Sequence, residues 1–159
     1  MLTQLHQFFP ALLMSLLALF FTLSSMTSNA QENISITEDG YRIFYSVFNS
    51  SFIPPDIAST YKLIRGKDRA LVNIVVTKDG EETQTLGLPA NLKGEARNLM
   101  QQAQKLKFQR INEQNTTYYL APIRFTNEEV MNFFITVTPE GSDSPIKLKF
   151  SKKLYVDRH

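Results

Sequence analysis

The chain has 159 residues, 43% of them hydrophobic and 20% charged, with 17 Lys+Arg against 15 Asp+Glu for a formal net charge of +2. That length suits one globular core rather than two, and so small a positive excess without a basic tract implies no nucleic-acid partner. The absence of cysteine excludes disulfides, thiolate metal sites, a cysteine nucleophile and a lipid-anchored N-terminal cysteine, so the fold must rest on its hydrophobic core.

Residues 8–23 (FFPALLMSLLALFFTL) carry no charge and lead into the small, polar segment Ser24 to Ala30. This is the order of a secretory signal, and Ser28 and Ala30 offer small side chains where a signal peptidase reads them. The expectation is a cleaved signal peptide over 1–30, a mature chain from Gln31 and a periplasmic location. An uncleaved anchor is the competing reading, because no Lys or Arg precedes the apolar run. Against it, the run is shorter than the roughly 20 residues of a membrane span, Pro10 sits near its start and no basic cluster follows.

From Tyr41 onward, short alternating runs separated by turn residues predict antiparallel strands. Tyr41 to Asn49 follows Glu38-Asp39-Gly40. Arg69 to Thr77 sets Ala70, Val72, Ile74 and Val76 on one face, and Asp79-Gly80 after it predicts a hairpin turn. Leu88 to about Asn98 alternates, with Leu88, Ala90, Leu92, Gly94 and Ala96 on one side. Ala96, Leu99, Met100, Ala103 and Leu106 also fall at helical spacing, so a turn or short helical piece is expected to Gln104, then a strand from Lys105 to about Asn112. Thr116 to Arg124, Met131 to Thr138 and Ile146 to Val156 complete about seven strands, with a turn at Thr126 to Glu129 and a loop at Pro139 to Pro145. Phe52 to Leu63 is the one helical candidate, with Pro55 in its first turn. The pattern predicts an all-β, immunoglobulin-like antiparallel sandwich forming a single domain over 31–159, a small barrel being the alternative.

Four separated segments, Tyr45 to Ala58 (YSVFNSSFIPPDIA), Arg69 to Asn73 (RALVN), Phe125 to Val130 (FTNEEV) and Leu154 to Asp157 (LYVD), together resemble the proteobacterial periplasmic family known as domain of unknown function 4426. The resemblance runs from about Ile34 to Asp157. It implies a periplasmic location and an immunoglobulin-like sandwich. It implies no activity and brings no catalytic or binding residues.

Chemistry is sparse. The only histidine after residue 30 is His159 at the chain end, so a Ser-His-Asp arrangement is not expected, and no GxSxG, Walker or HExxH pattern occurs. The acid pairs Glu38/Asp39, Glu81/Glu82 and Glu128/Glu129 fall in predicted turns, where solvated surface explains them. A carboxylate-dependent hydrolase of envelope polymers is the secondary reading, needing two such acids across a cleft. Glu140 to Ser144 lacks the Asp-rich spacing of a calcium loop, so no metal or cofactor is implied. The sequons at Asn33, Asn49 and Asn115 are no more than this Asn/Ser/Thr-rich composition yields by chance.

Two features stand out as candidate partner contacts. Lys147 and Lys149 point outward from the last strand, with Lys152 and Lys153 after an expected bulge at Ser151; edge protection explains them first, and an acidic partner or membrane surface second. Phe44 and Phe48 form a second apolar face on the Tyr41 strand, opposite Ile43, Tyr45 and Val47. Residues 52–64 are the expected cover, through Ile57, Tyr61, Leu63 and Ile64, and a peptide or subunit groove is the alternative. The reading as a whole is a non-enzymatic protein that binds a protein or peptide of the cell envelope. A membrane-tethered accessory subunit replaces it if residues 1–30 stay attached.

Overall fold

Asp39 and Gly40 both take positive φ, 51° and 73°, the conformation of a type I′ turn, and they close a two-residue hairpin between β1 (Ser35–Glu38) and β2 (Tyr41–Asn49). The structure, a computed structural model, describes residues 34–81, 87–113 and 116–158. The expected signal peptide, its cleavage site at Gln31, and Glu82, Asn33, Asn115 and His159 lie outside the described residues.

After β2 the chain makes a 3-10 turn at Ser50–Phe52 and the short helix α1 (Pro55–Thr60). The helix is shorter than the Phe52 to Leu63 span expected. Pro55 starts it, since a missing N–H costs nothing in the first turn. Lys62 at φ 54° then takes the left-handed conformation that ends it. The remaining elements are β3 (Arg69–Lys78), β4 (Ala90–Asn98), β5 (Ala103–Lys105), β6 (Gln109–Glu113), β7 (Thr116–Arg124), β8 (Glu129–Pro139) and β9 (Ile146–Leu154). They form two antiparallel sheets, in the orders β1-β2-β3-β7-β6 and β5-β4-β8-β9.

The inner faces are those the alternation marks. Ala70, Val72, Ile74 and Val76 from β3 meet Ala96, Phe133, Ile135, Val137, Ile146 and Leu148 from the second sheet in one core. Each fully buried Val, Ile or Phe there contributes about 1.5–3 kcal/mol. Aromatic rings join the layers: Phe150 stacks on Tyr45 of the first sheet at 4.4 Å between centroids and on Phe133 of its own at 4.7 Å. The all-β sandwich with one short α-helix is therefore what the described residues form.

Three expectations are corrected, and one left open is resolved. Among the described residues the Asp79-Gly80 turn does not lead into a strand paired with β3: β3 pairs with β2 and β7, and the next described strand lies in the other sheet. The crossing is visible in the hydrogen bonds. Leu88 N–H donates to the Val76 carbonyl at 2.7 Å and Thr117 N–H to the Gly87 carbonyl at 3.0 Å, both in the first sheet, whereas Glu140 N–H donates to the Pro89 carbonyl at 2.9 Å in the second. Of the turn or short helical piece expected up to Gln104, the chain takes the turn, at residues 99–100. Gln101 at φ 63° turns β4 back onto β5, leaving Leu99 and Met100 70% and 75% exposed. The single strand expected from Lys105 is split between the sheets as β5 and β6, with Leu106 buried between them. Together with β1, this raises the strand number from about seven to nine among the described residues. No bulge occurs at Ser151: it pairs with Asn132 in an unbroken β8–β9 register, and its hydroxyl donates to Asn132 Oδ1 at 2.6 Å.

Candidate binding surfaces

The outer face of the five-stranded sheet is apolar beneath a strap made of the 3-10 turn, α1 and the residues that follow. Cross-strand rows put Phe48, Leu71 and Pro122 side by side, and Ser46, Asn73, Leu120 and Gln109 in the next row. Leu71 is fully buried although it faces away from the main core. Gln109 Nε2 donates to the Tyr61 carbonyl at 3.1 Å, and Ser50 Oγ accepts from Gly66 N–H at 3.0 Å, which anchors the strap at both ends. Between strap and sheet lies a cleft of about 290 Å³ lined by Phe48, Ile57, Tyr61, Leu63, Tyr118 and Leu120, among others, with Asn73 also in its lining. Asn73 Oδ1 is buried without a hydrogen-bond partner. Phe52 at the rim is 72% exposed.

This arrangement bears on the residues named from the sequence. Phe48 is half-buried and lines the cleft; Phe44 is half-buried on the same face but outside it. Ile57, Tyr61 and Leu63 line the cleft, while Ile64 is exposed and covers nothing. Asn73, Tyr118 and Leu120 were missed by the sequence reading. Leu71 and Asn73 were legible as the outward set of the Arg69 strand, but the adjacency of β7 to β3 was not.

The outer face of the four-stranded sheet differs. Lys93, Thr136 and Lys147 form one cross-strand row, and Lys105, Glu95, Phe134 and Lys149 the next. They surround a shallow depression of about 600 Å³. The Phe134 ring is 37% exposed at its centre, with Lys149 Nζ 5.4 Å and the Arg97 guanidinium 5.8 Å from its centroid. Glu95 is engaged by Arg97, whose Nε donates to Glu95 Oε1 at 2.6 Å. Lys147 and Lys149 thus stand on an edge strand, as expected, but they share their face with Lys93, Lys105 and Phe134. Further along β9, Lys153 Nζ bonds Glu128 Oε2 at 2.9 Å, which raises the lysine pKa.

At one end of the sandwich a polar cluster ties the sheets together. Gln104 bonds the Arg124 backbone twice, donating from Nε2 to the carbonyl at 2.7 Å and accepting from the N–H at 3.0 Å. Asn98 Nδ2 donates to Glu129 Oε1 at 2.9 Å, and Thr126 N–H donates to Glu129 Oε2 at 2.6 Å. Burial alone would raise the Glu129 pKa; the hydrogen bonds from Thr126 and Asn98 outweigh it and hold the carboxyl below its ordinary value. Its oxygens are thus committed to holding the cluster. Among the described residues no group of three or more His, Cys, Asp or Glu side chains gathers as a metal site would. Nor is any described helix long and apolar enough to cross a membrane.

A family model described as domain of unknown function DUF4426 matches residues 35–157. The chain belongs to this family. A DUF4426 protein from Pseudomonas aeruginosa has a similar structure, with a TM-score of 0.68 and 28% identity over 78% of this chain and 95% of that one. Beyond DUF4426, a copper-bound variant of FetP from uropathogenic Escherichia coli aligns with a TM-score of 0.56 at 11% identity, covering 77% of this chain and 94% of its own. FetP as isolated, after recombinant expression in the periplasm, aligns at 0.54 and 10% identity, covering 78% and 94%. These last likenesses are of fold. No curated protein matches the sequence.

Proposed function

We propose that this DUF4426 protein is an exported, periplasmic, non-enzymatic β-sandwich that binds an extended segment of an envelope protein in the cleft between the five-stranded sheet and its strap. The observation that carries the reading is the pairing of an apolar cleft with one unsatisfied acceptor, Asn73 Oδ1. A buried acceptor without a partner costs about 1–3 kcal/mol, and a bound donor would recover that. The cleft's roughly 290 Å³ is at the small end for a cofactor-sized ligand and suits one or two apolar side chains of a peptide, with a peptide N–H or amide reaching Asn73. The leader-like composition of residues 8–30 supports export.

The copper of FetP is not carried over. The chain has no cysteine, no acid or histidine cluster forms among the described residues, and Met131 is sealed in the core.

A peptide array tiled over exported proteins, probed with this protein and with its Ile57→Asp variant, tests the reading. The expected hits share an apolar residue beside a free backbone or amide donor, and they weaken at least about tenfold with the variant, which places a charge in an apolar cleft. Hits that ignore the substitution would assign binding elsewhere.

A further inference from the structure

The frame of lysines on the four-stranded sheet is independent of the cleft, on the opposite outer face of the sandwich. Adjacent strands are about 4.8 Å apart, so Lys93 and Lys147 are about 10 Å apart at their Cα atoms and Lys105 and Lys149 about 14 Å. The two rows lie about 7 Å from one another. Four ammonium groups on flexible stems can therefore converge over Thr136 and Phe134. None of the four forms an ion pair among the described residues, whereas neighbouring Arg97 and Lys153 each hold a glutamate. Glu95, beside Lys105 in the same row, is held by Arg97, so the face keeps the excess positive charge of the four lysines, and a concave surface with such an excess concentrates counter-ions.

Edge protection accounts for lysines on β5 and β9, the two edges of this sheet. It does not account for an exposed phenyl ring on β8, an inner strand, at the centre of the frame. An apolar floor within a cationic rim fits an anion that carries apolar substance. Lysines as compact point charges suit the three-fold oxygens of a phosphate, while the one arginine that could grip a carboxylate bidentately is committed to Glu95. The face also presents side chains only, since ladder donors and acceptors run within the sheet plane, so an extended acidic peptide would gain no main-chain bonds here.

We propose that this face docks on the phosphate headgroups of an anionic lipid leaflet, one headgroup seated within the frame of Lys93, Lys105, Lys147 and Lys149 with its glycerol end against Phe134. Docking is peripheral and reversible, and it would leave the strap cleft facing away from the lipid.

Co-sedimentation of the protein as recovered from cells, with phosphatidylglycerol vesicles and with phosphatidylcholine vesicles, tests this. Binding to the anionic vesicles alone, falling with added salt, is expected. Each lysine removed should lower partitioning about fivefold, so the Lys147→Gln, Lys149→Gln double variant should lose roughly twenty-five-fold. Phe134→Ser, with an unchanged thermal midpoint, should lose a further few-fold through the apolar floor. Equal binding to both vesicle types, or a double variant that binds as the parent does, would overturn the proposal. So would displacement by micromolar inorganic phosphate, which would assign the frame to a soluble phosphate. Displacement by a polyglutamate peptide as effective as lipid would assign it to an acidic protein and overturn it equally.

Discussion

Glu129 shows how one side chain converts a turn into a joint. Its two oxygens accept from Asn98 Nδ2, Thr126 N–H and Thr126 Oγ1, and Asn98 in turn holds Gln102. The folded-state pKa lies below the ordinary carboxylate value. The stabilisation is therefore complete above the unfolded-state pKa and is lost as pH falls through the folded one. Glu129→Gln should lower stability at neutral pH by about 1 kcal/mol, discounted for partial exposure. In urea unfolding followed from pH 7 to pH 3, the difference between variant and parent should shrink toward the acid end. Gly87 is constrained by space instead: a Cβ there would collide with the Thr117 carbonyl, where the chain passes from one sheet to the other. Gly87→Ala should cost about 2 kcal/mol, read as a lowered thermal midpoint.

At the scale of elements, the strap covers the five-stranded sheet through Leu71 and buries Ala58 of α1. Leu71→Ala should cost about 3 kcal/mol, as for a core leucine, while Phe52→Ser, at the exposed rim, should stay within about 0.5 kcal/mol; chemical denaturation distinguishes the two. Strands such as β2, β3, β7 and β8 were legible because each alternates and ends at a turn residue. What alternation does not encode is the sheet a strand joins. That is why Asp79-Gly80 looked like a hairpin, and why one expected strand proved to be β5 in one sheet and β6 in the other. The helical spacing at Ala96 to Leu106 left turn and helix open because Leu99 and Met100 are apolar turn residues, exposed in the described fold. Of the candidate site, Phe48, Ile57, Tyr61 and Leu63 could be read locally, whereas Asn73 meets Tyr118 and Leu120 only through long-range pairing.

For the whole molecule, the sandwich presents two unlike outer faces, an apolar cleft under a strap and a cationic frame around a phenyl ring. Among the described residues, the core between them is built of apolar side chains and the rings of Tyr41, Tyr45 and Tyr119. Tyr119 uses its hydroxyl to accept from Ala90 N–H at 2.6 Å, bonding sheet to sheet. Tyr119→Phe should lower the thermal midpoint by leaving that N–H unpaired, at a cost of about 1–2 kcal/mol. With the sheets joined in this way and the strap anchored at both ends, the cleft is a preformed surface.

Site-specific photo-cross-linking in intact cells tests the binding role most directly, with the probe placed at Phe52 on the cleft rim and, as a control, at Leu99 in the β4–β5 turn, outside the cleft lining. A discrete adduct is predicted at Phe52, mapping to one segment of an exported protein, absent at Leu99 and abolished by Ile57→Asp in a chain of unchanged thermal midpoint. The same adduct from both probe positions, or none from Phe52, would contradict a binding role for the cleft.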